Sequence, residues 1–321
     1  MKSAPLVFAA LLSLSVVRAQ TSPSAEPEPE SRFNFELLPR AFQRNPNLDL
    51  TVITEMTDHG KKLPPVSPQA PAYYAIQSAG YHVIGDQVGG TSLAAPEIEA
   101  VLQRALAARG YLPAATGHPP TLLVVYFWGA HNLYDQNEAI SDEQWTNNIL
   151  ERAALAGGEK FAAELNQAIS RSDAAAMTVS TKLGGTAEDG SQSLGAAAAV
   201  AQMNAAFDPV RLFKQKSPKN EFLIDQASSD CYYVVASAYE YASVATHVKQ
   251  LLWRTRMTVN ATGVSQPQSL PVLIAAAAPY FGKDMAESEI LTRRAVPKGK
   301  VEVGTPTVVE AAPAATPTGK P

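Results

Sequence analysis

One short segment of this 321-residue chain gathers most of the side chains that could carry chemistry. His131 is followed by Asp135 and Glu138, then by Asp142 and Glu143. An imidazole among carboxylates can work as an acid–base pair or hold a divalent cation, because both roles need a titratable nitrogen near an anionic oxygen. The spacing matches no metal-ligand motif, however, and Asp142 and Glu143 are equally explained by the positive end of a helix. A solvated loop is the plain alternative for the rest. His59, His82, His118 and His247 show no ligand spacing, so neither a metal site nor a cofactor is expected.

A second candidate is a surface rather than a residue pair. Tyr233, Tyr239 and Tyr241 share strand parity, and Arg254 and Arg256 share the polar face of the next strand. Were those faces to coincide, Tyr239, Tyr241, Arg254 and Arg256 would form an aromatic and cationic strip able to stack a sugar. Tyrosines packed beneath a helix are the alternative. The single cysteine, Cys231, opens the apolar run Cys231-Tyr232-Tyr233-Val234-Val235, which predicts a buried, unreactive thiol and excludes a disulfide within the chain. Gly89-Gly90-Thr91-Ser92 could offer free N–H groups to an anion, but it lacks the Lys-Ser/Thr of a phosphate loop and reads as turn and cap. Gly-x-Ser-x-Gly, Ser-x-x-Lys and His-Glu-x-x-His are all absent from the sequence.

The elements that must position these groups are legible from periodicity. Strands are predicted over residues 48–54 and 73–84. A helix follows over 95–109, with Ile98, Val101, Leu102, Ala105 and Leu106 on one face and Gly110 as its left-handed terminus. Its cap is Thr91 or Ser92. Leu122-Leu123-Val124-Val125-Tyr126-Phe127-Trp128 has no alternation, which marks a central strand buried on both faces. His131 then falls in the loop beyond it. Ser141 and Gln144 form a capping box, Gly157-Gly158 breaks the helix, and Phe161, Leu165 and Ile169 begin another. Residues 132–230 therefore read as a helical insertion. Strands return over 231–241 and 251–260. In the latter, Leu251, Trp253, Met257 and Val259 face the core, and Leu252, Arg254, Arg256 and Thr258 face water. A last helix is predicted to start with Ser269 as its cap.

The fold expected is α+β: a mixed sheet of about five strands with two flanking helices and a helical insertion, within residues 32–290. Leu106-Ala107-Ala108-Arg109-Gly110-Tyr111 before an apolar strand, and Leu251-Leu252-Trp253-Arg254-Thr255-Arg256 before a C-terminal helix, give this chain a family look. Over about residues 72–131 and 231–285 it resembles a group of small bacterial envelope domains of unknown function, many of them lipoproteins. The resemblance implies a location and a fold type, and no catalytic residues. This chain departs from the group in having no cysteine for lipidation and in its large insertion.

The ends agree with that location. Lys2, the apolar stretch from Leu6 to Val17, and Val17-Arg18-Ala19 read as a signal peptide over residues 1–19, too short for a permanent membrane span. Residues 20–31 and 291–321 are rich in Pro, Ser, Ala and Thr and read as a disordered linker and tail. With 46% hydrophobic residues, 17% charged and a net charge of −4, the chain has no general attraction for nucleic acid. No later segment is long and apolar enough for a transmembrane span. The reading is an exported periplasmic or extracellular protein acting by binding or assembly on an envelope component or glycan. The alternatives are a hydrolase or metal-dependent enzyme centred on His131, and a glycan-binding surface protein.

Overall fold

A computed structural model describes residues 39–43, 45–85, 92–132, 141–183, 208–245 and 248–295. The predicted signal peptide and linker, Gly89-Gly90-Thr91, Asp135, Glu138 and the tail beyond residue 295 lie outside these residues. The strands are β1 (Asn47–Met56), β2 (Ala72–Ile84), β3 (Tyr111–Pro113), β4 (Leu122–His131), β5 (Cys231–Glu240), β6 (Leu251–Asn260) and β7 (Glu289–Arg294). They form one sheet in the order β3-β2-β4-β5-β6-β1-β7. β2 runs parallel to β3 and β4, and every other neighbouring pair is antiparallel. The sheet is mixed, as expected, but it has seven strands instead of about five. Those that patterning missed are edge strands. β3 is three residues ending in Pro113, and β7 is the mostly polar Glu-Ile-Leu-Thr-Arg-Arg. Neither carries an apolar run. β7 also overturns the boundary at residue 290, since it pairs with β1 from Val52↔Glu289 to Asn47↔Arg294.

Helices are α1 (Asp58–Lys62), α2 (Ala95–Ala107), α3 (Asp142–Leu183), α4 (Pro209–Lys214), α5 (Pro218–Ala227), α6 (Tyr241–Ala245) and α7 (Gln266–Ala277). α2 and α7 cover one face of the sheet. The predicted stripe Ile98, Val101, Leu102, Ala105 and Leu106 is buried there against Tyr126, Trp128, Trp253 and Met257. Gly110 has φ 90° and closes α2 as expected. Its N-cap is Ala94 rather than Ser92 or Thr91, and it makes no side-chain cap bond. α7 starts earlier than predicted. Ser265 is the cap, its N–H donating to Gln268 Oε1 at 3.1 Å, whereas Ser269 is buried within the first turns. Two Ser residues one helical turn apart offer the same local signal, and packing selects the first.

The insertion lies on the opposite face. Ser141 and Gln144 cap α3 reciprocally, at 3.2 and 3.0 Å. Gly158, at φ 88° and ψ 176°, interrupts it, a conformation that costs any L side chain dearly. Ile149, Phe161, Leu165 and Ile169 build a second core with Phe213, Leu223 and Ile224. Leu155 turns the other way and meets Tyr233 and Val235 on the sheet. The insertion is thus fastened over β1 and β6 as well as β5, and this corrects the reading of β6. Trp253, Met257 and Val259 are core, as predicted, but Leu252, Arg256 and Thr258 are buried too, and the face expected to be wet is an interface.

Candidate functional site

His131 is the last residue of β4 and stands directly opposite Cys231, the first of β5. The strand runs three residues past Trp128, so His131 is part of the sheet and not of a loop. α3 passes above it, and its ring is wholly buried. The expectation of an exposed imidazole on a rigid base is therefore overturned. The carboxylate described beside it comes from Glu151 on α3, with Oε2 3.7 Å from Nε2, an ion-pair distance longer than a hydrogen bond. Interaction with the His131 ring holds the Glu151 carboxyl below its ordinary value, against the upward pull of partial burial. Glu151 itself remains about half exposed.

Arg152, the next residue, is buried and donates from Nη2 to the Ser229 carbonyl. Burial lowers its pKa, opposed by Cys231 and Asp230 nearby. The Cys231 thiol is pushed up to about 11, chiefly by burial, with Arg152 pulling the other way. A thiol that stays protonated at neutral pH is a poor nucleophile. That matches the unreactive cysteine read from the sequence.

Two strands away, Arg256 forms a second charged joint. It donates to Glu55 on β1 and to Glu159 on α3. Glu55 Oε1 also accepts the Glu159 N–H at 2.8 Å, capping the second arm of α3 where Gly158 breaks it. Below that joint, the Thr51 and Thr258 hydroxyls meet, and Gln226 Nε2 donates to Thr258 Oγ1 at 3.4 Å. A polar layer therefore runs between sheet and insertion from His131 to Glu159.

The register brings the two faces of the proposed aromatic–cationic strip together, with Arg256 opposite Val235 and Arg254 opposite Ser237, two residues from Tyr239, but Tyr233 and Arg256 are buried there. Arg256 lies inside the joint just described, and Arg254 Nε donates to Ser237 Oγ at 3.2 Å. Tyr233 is buried edge-on to Phe127 with its hydroxyl donating to the His82 carbonyl, and burial raises its phenol well above the ordinary range. Tyr239 is half-buried in β5, and Tyr241 is exposed at the start of α6. Tyr241 lines a groove of about 440 Å³ with Ala75, Ile76, Gln77, Leu123 and Val244, at the end of β2 and β4 far from His131. Among the described residues, no cluster of His, Cys, Asp and Glu could hold a metal ion, and no helix is long and apolar enough to cross a membrane.

Glu151, Arg152, Glu55 and Glu159 were not read from the sequence as site residues. Only a faint signal marks them: Arg152 and Leu155, three residues apart on the first arm of α3, flank the stripe of Ile149, Ala153 and Ala156 and are buried with it. No protein-family model matches the chain, and a search among curated proteins finds no significant relative.

Proposed function

We propose that this is an exported protein of the bacterial envelope that acts by binding or assembly on another envelope component, with no reaction of its own. The burial of His131, Arg152 and Cys231 between α3 and the sheet carries this reading. The groups best suited to chemistry lie at the junction of the insertion and the sheet. The signal-peptide pattern of residues 1–19 and the resemblance to bacterial envelope domains support the location.

The test is made in the bacterium that carries the gene. Envelope fractions should yield a mature chain beginning at Gln20 or within a few residues of it. Photo-crosslinking in the intact envelope should give an adduct of defined mass. Recovery of intact Met1 from envelope or medium refutes export. A His131→Gln variant that keeps the wild-type melting temperature but loses a hydrolytic turnover shown by the wild type refutes the non-catalytic reading.

A further inference from the structure

The longest strand of the sheet is paired along only part of its outer edge. β3 covers Ala72, Tyr73 and Tyr74 of β2 and then turns away. Beyond Tyr74, among the described residues, no strand lies outside β2, whereas its inner edge pairs with β4 as far as Ile84↔His131. The backbone hydrogen bonds fix which groups face outward. The Ala72 N–H donates to Gly110 and Tyr74 accepts from Ala114, both on the β3 side, while Tyr73 accepts from Thr121 on the β4 side. Alternation continues to the bulge between Ser78 and Gly80, so Ile76 and Ser78 point their N–H and C=O outward. After the bulge the order reverses. Ile84 accepts from Asn132 on the β4 side, which turns the backbone groups of Tyr81 and Val83 outward.

An open edge is normally blunted by charge or proline. From Ala72 to Ile84 this strand has no Asp, Glu, Lys, Arg or Pro, and its Tyr81 and Val83 side chains are 39% and 37% exposed. We infer that this edge pairs with the same edge of a second copy of the chain, antiparallel about a two-fold axis through the Ala79–Gly80 bulge. In that register Ile76 faces Val83 of the second copy, and Ser78 faces Tyr81. These are the four residues whose backbone groups point outward, so each meets a partner able to return both hydrogen bonds. Gln77 faces His82 in the close, non-hydrogen-bonded position. Ala75 faces Ile84, which brings an apolar side chain of the second copy alongside the groove of Ala75, Leu123, Tyr241 and Val244. No charge opposes a like charge at any pair. The bulges coincide on the axis, so the outward sets before and after them exchange places. A self-complementary patch of this kind is what a two-fold interface requires. The inference rests on the strand edge alone and is independent of where the protein resides.

The mature, full-length chain is examined by sedimentation equilibrium over roughly a hundredfold range of concentration, since a dimer dissociates by mass action. A monomer–dimer equilibrium is expected. Val83→Pro removes an outward N–H and no bond to β4, so it should abolish the dimer while leaving the melting temperature within about 2 °C. The double variant Gln77→Cys and His82→Cys should oxidise to a covalent dimer, because non-hydrogen-bonded pairs hold their Cα atoms within disulfide reach. A wild-type chain that stays monomeric throughout overturns the inference. So does a dimer indifferent to Val83→Pro. Slow hydrogen exchange at Ile76, Ser78, Tyr81 and Val83 in a monomer would assign the edge to another segment of this chain, and overturns it equally.

Discussion

Arg256→Ala tests the joint between sheet and insertion most directly. The guanidinium is 6% exposed, between a Glu55 side chain 27% exposed and a Glu159 side chain 65% exposed. Truncation strips the two methylenes Cγ and Cδ from a buried site, worth about 1.6 kcal/mol at ~0.8 kcal/mol each. The charge-assisted bond to the mostly buried Glu55 is worth about 1.5 kcal/mol. The bond to the largely hydrated Glu159 adds about 0.5 kcal/mol at most. Arg256→Ala should therefore cost about 4 kcal/mol, and Arg256→Met, which keeps most of the stem, about 2 kcal/mol. Urea unfolding followed by Trp fluorescence gives both numbers from the shift in midpoint, provided the slope is unchanged. Because the pair is largely buried, about 1 M salt should reduce the loss only slightly. A cost below about 1 kcal/mol for Arg256→Ala, the value for an exposed strand position, would mean that α3 does not close over β6 in solution. Equal costs for Ala and Met would refute the part assigned to the stem.

Trp253→Ala should cost about 3–5 kcal/mol, against under ~1 kcal/mol for the half-exposed Arg254→Ala, by the same urea titration. Cys231 should resist thiol reagents at pH 8 in the native protein and react at once in urea. Its raised thiol pKa means that its stability contribution is whole below the ordinary value of 9.0 and is lost as pH climbs through about 11. Native reactivity at pH 8 equal to that in urea would contradict its burial. For Glu151 the sign is opposite: its carboxyl is depressed, so the contribution is present above its ordinary value of 4.5 and fades as pH falls through the lower folded value. Glu151→Gln should flatten that acid limb slightly, given its exposure, and an unchanged limb would deny the coupling to His131. Gly158→Ala should destabilise by about 2–4 kcal/mol in thermal melts, from the strained φ together with a Cβ 2.5 Å from Ile53 Cδ1. A neutral result would show that the break in α3 can shift to another residue.

The elements that announced themselves in the sequence are those whose apolar side chains repeat with the local period. The stripe from Ile98 to Leu106 could only be an amphipathic helix, and Leu251–Asn260 could be divided into faces by parity alone. What parity does not reveal is the environment of the polar face. Arg256 and Thr258 look like solvent residues, yet both are buried, because their partners arrive from α3 and α5, far away along the chain. The same blindness explains His131. Its neighbours in sequence suggested Asp135 and Glu138, whereas the carboxylate described beside it is Glu151, brought there by the way α3 crosses the strands. β7 was missed for a related reason: an edge strand with polar side chains is defined by its partner, not by its own pattern.

The position of β1 has a kinetic consequence. Its Leu50 pairs with Val259 on one side and Leu291 on the other, so the first strand of the sheet is held between two of the last. While the chain emerges, β1 has neither neighbour, and no early hairpin can shelter it. Closure must wait for residue 294 and must join segments more than two hundred positions apart, which slows folding through the entropy of closing so large a loop. If the chain is exported before it folds, that delay is an advantage. The sheet cannot lock before the C-terminal strands have been made, so in an exported chain topology alone would keep folding behind export.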